Sequence, residues 1–70
     1  MPVYHADLSP DGKHIVTAGP SGARMWSVDD GKLEGDLPGH TGDVLWATFS
    51  PDGERVLTAG RDGTLRLWNA

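Results

Sequence analysis

Ser50-Pro51-Asp52-Gly53 stands 41 residues after an identical Ser9-Pro10-Asp11-Gly12, and that repetition organises the whole chain. Thr17-Ala18-Gly19 recurs as Thr58-Ala59-Gly60 and Gly22 as Gly63, both at the same offset of 41. Trp26 meets its counterpart Trp68 at 42, so the first copy is one residue shorter between Gly22 and the tryptophan. A period of this length belongs to small antiparallel units stacked in series, each too small to bury its apolar face alone.

Working outward from the repeated tetrapeptide gives the local structure. Proline presets φ, aspartate bonds the nearby backbone and glycine supplies the positive φ that lets the chain leave, so Ser-Pro-Asp-Gly is a tight turn. On either side lie short runs in which apolar residues recur at period two, and glycine or proline interrupts every longer stretch. That excludes helix and predicts strands over 3–8, 14–18, 23–27 and 33–37 in a first unit, residues 1–38. A second unit, residues 39–70, has strands over 44–49, 55–59 and 64–68. The fold class is therefore all-β, with an antiparallel unit of four strands followed by one of three.

Composition narrows the function. The 70 residues contain no cysteine, which excludes disulfides and thiolate metal sites. The net charge of −4 and the lack of a clustered basic face argue against nucleic acid as a partner. No apolar run approaches the length of a membrane span, and the N-terminus lacks the pattern of an export signal, so the chain reads as soluble, off the membrane and cytoplasmic.

Taken in order, Gly39-His40, Phe49-Ser50-Pro51-Asp52-Gly53, Asp62-Gly63 and Leu67-Trp68 resemble the WD-repeat family over essentially all of the chain. The resemblance implies β-propeller blades radiating from a central channel and packed face to face. It also implies a structural hydrogen-bond network of His40, Thr58, Asp62 and Trp68. In it Asp62 orients His40, His40 bonds Thr58, and Thr58 accepts from the Trp68 indole. The first copy keeps Thr17 and Trp26 but has Ser21 in place of the aspartate and no histidine ahead of Val3, which predicts an absent or much weakened network. Ser27 and Asn69 stand where the family carries an aspartate after the tryptophan. In the family, the start of the innermost strand and the residue before the turn aspartate often line a partner-binding face. Carried over, that suggests Asp43, Leu45, Trp46 and Arg61.

Other chemistry is less well supported by the residues. A histidine, an aspartate and a hydroxyl suggest a hydrolytic triad, but Thr58 lies within a strand with no nucleophile elbow or oxyanion hole, and the expectation is that the chain is not an enzyme. His5, His14 and His40 have no metal-ligand spacing, and Asp29-Asp30-Gly31 reads as a hairpin turn instead of a calcium loop. No cofactor is expected.

Propellers close with roughly four to eight blades, so two blades leave apolar faces open. The favoured reading is a protein-interaction scaffold in which copies of the chain, starting at Met1, associate head to tail as a trimer or tetramer. Its ring would present a face to a protein or peptide. The alternatives are a fragment of a longer propeller and, least favoured, a small monomeric enzyme or ligand binder.

Overall fold

The computed structural model describes residues 3–20, 22–38 and 42–69. They form two antiparallel sheets. The first has the order β1-β2-β3-β4, from β1 (His5–Leu8), β2 (His14–Gly19), β3 (Gly22–Ser27) and β4 (Leu33–Leu37). The second is β5-β6-β7, from β5 (Val44–Phe49), β6 (Arg55–Gly60) and β7 (Leu65–Asn69). Sequential strands pair with their neighbours throughout, as short connections between antiparallel strands dictate.

The strand limits differ from expectation at the ends. The innermost strand of the first sheet starts at His5 and not at residue 3, although the Tyr4 amide still donates to the Ala18 carbonyl at 2.8 Å. The last strand covers 65–69 where 64–68 was expected. Thr64 is drawn into the preceding turn, where its amide and hydroxyl both donate to Asp62 Oδ1, at 3.1 and 2.7 Å.

The repeated tetrapeptides build the same turn twice. Ser9 Oγ donates to Asp11 Oδ1 at 2.6 Å, and the same carboxylate oxygen accepts from the Lys13 amide at 2.9 Å. Ser50, Asp52 and Glu54 repeat those bonds at 2.6 and 3.0 Å. Gly12 and Gly53 both take φ of +74°, a conformation that side chains disfavour. Gly53 is constrained a second time: a Cβ there would meet Pro10 Cδ at 3.1 Å, because the turn of the first sheet rests on the turn of the second.

One core joins the sheets. Val16, Ala18 and Ala23 from the first sheet are buried with Val44, Ala47, Phe49 and Val56 from the second, and Met25, Leu37 and Trp68 pack at the margin. Three of these seven core residues are alanines, whose small side chains let the two backbones approach closely. The innermost strands add polar links. Asp7 on β1 accepts from the Thr48 hydroxyl and the Phe49 amide of β5, both at 2.8 Å.

Candidate functional site

Three groups of residues could carry function: the tryptophan–threonine pairs inside each sheet, the seam between β1 and β5, and the exposed residues around Asp43.

Each sheet holds one copy of the first. Trp68 Nε1 donates to Thr58 Oγ1 at 3.0 Å, and Trp26 Nε1 donates to Thr17 Oγ1 at the same distance. The first sheet thus retains the tryptophan–threonine bond in spite of the substitution at Ser21. Thr58 is fully buried, which removes its hydroxyl from any substrate. His40 and Ser21 lie outside the described residues. Asp62 Oδ1 closes the Gly60–Gly63 turn by accepting from Thr64. Replacing Trp68 by phenylalanine removes a donor and leaves Thr58 without that bond. A net loss of about 1 kcal/mol is expected in urea unfolding, with a smaller loss for Trp26→Phe, since Trp26 packs outside the joint core.

The seam between β1 and β5 brings equivalent positions of the two copies together. The His5 ring stacks on Trp46 with centroids 3.6 Å apart and planes 26° from parallel. His5 Nδ1 lies 2.9 Å from the Ala47 carbonyl oxygen, which places the ring proton on Nδ1. The Asp7 carboxyl is held below its ordinary value, foremost by the Phe49 amide, with burial opposing and the Thr48 hydroxyl assisting. Asp11 and Asp52 are lowered as well, first by the Ser9 and Ser50 hydroxyls and then by the Lys13 and Glu54 amides.

These shifts set the acid behaviour. A carboxylate whose folded pKa lies below its unfolded value of 3.8 contributes stability that is fully present above that value. The contribution disappears as pH falls through the folded pKa. The urea midpoint is therefore expected to be flat above about pH 5 and to drop below about pH 4, and Asp7→Asn should flatten part of that drop. A midpoint unchanged down to pH 2.5 would contradict the geometry of all three carboxylates.

The third group is more open. The Arg61 guanidinium donates to Asp43 Oδ2 from Nε at 3.2 Å, and the Arg61 amide donates to the Asp43 carbonyl at 2.9 Å. Tyr4 of the first copy donates its hydroxyl to the same Asp43 oxygen at 3.4 Å. The register of β5 on β6 shifts between Val44 and Trp46, a bulge that leaves both Leu45 and Trp46 exposed, by 38% and 52%. Asp43, Arg61 and Tyr4 thus share a hydrogen-bonded cluster, while Trp46 joins His5. Tyr4 and His5 were absent from the expected binding face, although they align with Leu45 and Trp46 at the 41-residue offset.

His14 and the acidic residues of the turns make local contacts. His14 Nδ1 meets Glu34 Oε1 at 2.6 Å on the surface. Asp30 closes its hairpin by accepting from the Lys32 amide at 3.0 Å. Among the described residues no group of three or more histidines and carboxylates is placed to hold a metal ion.

The sequence model of the family described as WD domain, G-beta repeat, matches residues 31–69. This is more than half of the chain. The chain belongs to the WD-repeat family. The matched segment starts ahead of β4 and ends on β7, so one WD sequence repeat straddles the two sheets: the outermost strand of one blade and three strands of the next. The two sheets are consistent with two blades of a WD-repeat propeller, one of four strands and one of three. WD repeats generally mediate protein–protein interaction as non-catalytic scaffolds.

Proposed function

We propose that this chain is a non-catalytic interaction scaffold of the cytoplasm whose outward blade faces are covered head to tail by copies of itself. The observation that carries the reading is that each outward face repeats one half of the interface inside the chain. The second blade meets the first through Val44, Ala47, Phe49 and Val56. The corresponding Val3, Ala6, Leu8 and Ile15 lie on the first blade, where Val3 and Leu8 are 56% and 55% exposed. The first blade meets the second through Val16, Ala18, Ala23 and Met25. By strand register, Leu57, Ala59, Leu65 and Leu67 hold the same places in the second blade, and Leu65 and Leu67 are 70% and 59% exposed.

The turns obey the same rule. Pro10 rests on Gly53, and Gly12, the counterpart of Gly53, has open space where a proline from another blade would fit. A copy placed head to tail would bring Pro51 to Gly12 and repeat the His5–Trp46 stack. One element weakens: Thr48 occupies the position of Asp7, so a hydroxyl replaces the carboxylate that binds the neighbouring blade's backbone. Closure at six or eight blades corresponds to three or four copies, provided the rotation per chain fits. The cluster of Tyr4, Asp43 and Arg61, with Leu45 and Trp46 beside it, is the surface we assign to a protein or peptide ligand.

Absolute mass in solution by light scattering, across a tenfold dilution, tests the assembly. A constant mass of three or four chains is expected, and Leu8→Glu, at an exposed site, should reduce it to one while leaving far-UV circular dichroism intact. A monomer that unfolds cooperatively would overturn the ring. A poorly ordered or aggregating chain would favour the second reading, in which the same faces await further blades of a longer propeller.

A further inference from the structure

Four aspartates of the chain are followed directly by glycine: Asp11, Asp30, Asp52 and Asp62. Such a pair can cyclise on itself. The glycine amide nitrogen attacks the carbon of the aspartate side-chain carboxyl, water leaves, and a five-membered succinimide forms. A second water then opens the ring at either carbonyl. One opening returns aspartate; the other gives isoaspartate, in which the main chain runs through Cβ. The carboxyl must be protonated for its hydroxyl to leave as water, and glycine favours the attack because no Cβ shields its amide.

The attacking nitrogen does not discriminate among the four pairs. Gly12, Gly31, Gly53 and Gly63 all have positive φ, between +71° and +84°. Each of their amides is tied into its turn, donating to the carbonyl of Ser9, Ser27 or Ser50 at 2.9 Å, or of Gly60 at 3.1 Å. The carboxylates differ. Asp11 and Asp52 each accept a serine hydroxyl at 2.6 Å together with an amide. Asp62 accepts both the hydroxyl and the amide of Thr64. Every one of these hydroxyls stands two residues from its aspartate. Around Asp30 the same places hold Val28 and Lys32, so among the described residues Asp30 keeps the Lys32 amide alone, at 3.0 Å. The serine hydroxyls also hold Asp11 and Asp52 below the ordinary carboxylate value, which keeps them ionised and slow to lose water.

The surroundings point the same way. The turns of Asp11 and Asp52 meet at the seam, where Pro10 rests on Gly53. Residues 28–34, by contrast, are exposed throughout. They form the hairpin from β3 to β4, the outer strand of its sheet, and that pairing already shifts register between Met25 and Trp26. Opening is cheapest in exposed segments of this kind, and opening frees the Gly31 amide to attack.

We propose that Asp30-Gly31 is a site of spontaneous isoaspartate formation. The product adds a methylene to the main chain within the hairpin and displaces the carboxylate that accepts from Lys32. The bonds that close the hairpin, from the Gly31 amide to the Ser27 carbonyl and from the Ser27 amide to the Lys32 carbonyl, are then lost, and β4 loosens from β3. Asp30 and Gly31 lie outside the two outward faces that the proposed assembly covers.

The full chain is aged at 37 °C in mildly acidic buffer enriched in oxygen-18 water, beside a sample unfolded in guanidinium chloride. Each Asp-Gly peptide is then analysed by electron-transfer mass spectrometry, which separates isoaspartate from aspartate. Unfolded, the four pairs should react at similar rates. In the folded chain, isoaspartate carrying heavy oxygen should form at Asp30 about fivefold faster than at the other three, the ratio that one net hydrogen bond provides. Asp30→Ser keeps an acceptor for the Lys32 amide and should abolish the product at this position. Amide exchange across β4 should quicken in the modified protein alone. Equal rates at all four pairs of the folded chain would overturn the site, as would a faster rate at Asp11, Asp52 or Asp62. So would full protection of Asp30 in the folded chain while the unfolded sample reacts.

Discussion

Phe49→Ala should cost about 3–5 kcal/mol of unfolding free energy, the usual loss when a buried phenylalanine is truncated. Phe49 is 9% exposed at the end of β5 and is the largest side chain in the core that the two blades share. Its core neighbours are fixed on paired strands, Val16 among them at the level of Asp7, and cannot move in to fill the space. A chain of this length has a total stability of roughly 4–10 kcal/mol at usual per-residue values. The variant is thus expected to be largely unfolded at 37 °C. Urea unfolding at 10 °C, where some folded protein should remain, gives the size. Leu8 sits at the equivalent place on the outward face and is 55% exposed, so Leu8→Ala should barely change the unfolding of a monomer. A loss under 1 kcal/mol for Phe49→Ala would mean that the two blades are not joined through this core.

The second large effect is expected at Asp7→Ala, with a loss of about 2–3 kcal/mol. The carboxylate accepts from both the Thr48 hydroxyl and the Phe49 amide at 2.8 Å. Removing it leaves that amide, on a strand packed against the other blade, without its charged acceptor. Asp7→Asn keeps the shape and one acceptor oxygen, and should lose about half as much. A double-mutant cycle with Thr48→Ala separates the two bonds: coupling should be clear between Asp7 and Thr48, with a remainder due to the Phe49 amide. The same variant should remove part of the loss of stability below pH 4. Additive effects in the cycle would refute a link through the Thr48 hydroxyl.

Much of the local architecture was legible because it depends on short-range chemistry. Ser-Pro-Asp-Gly specifies its turn within four residues, and the alternating runs around it specify strands, so seven strands could be placed to within about two residues. The tryptophan–threonine bonds were legible for a related reason: resemblance to a repeat family gives both partners, and adjacent strands keep them together. In the first blade the Trp26–Thr17 bond of the partial network is present, and Ser21 lies outside the described residues. Ser21 and the missing histidine lie at one end of the network, whereas Trp26 and Thr17 are held by the pairing of β2 with β3 regardless of that end.

The seam between β1 and β5 was not legible in the same way. Asp7 looks like any polar residue alternating along an exposed strand, and its value as an acceptor appears only when another strand's backbone is brought beside it. His5 and Trp46 are aligned by the repeat, but alignment says that they are equivalent, not that they touch. Tyr4 joined the candidate ligand surface for the same reason.

By itself, then, the sequence determined the repeat, the strands, the turns and the family, because each rests on residues within one strand or hairpin of one another. Only the tertiary structure decided which faces meet, that His5 stacks on Trp46, and that Asp7 secures the neighbouring blade. Those features depend on the packing of one sheet against the next, where contacts join residues about 40 positions apart and no local pattern records them.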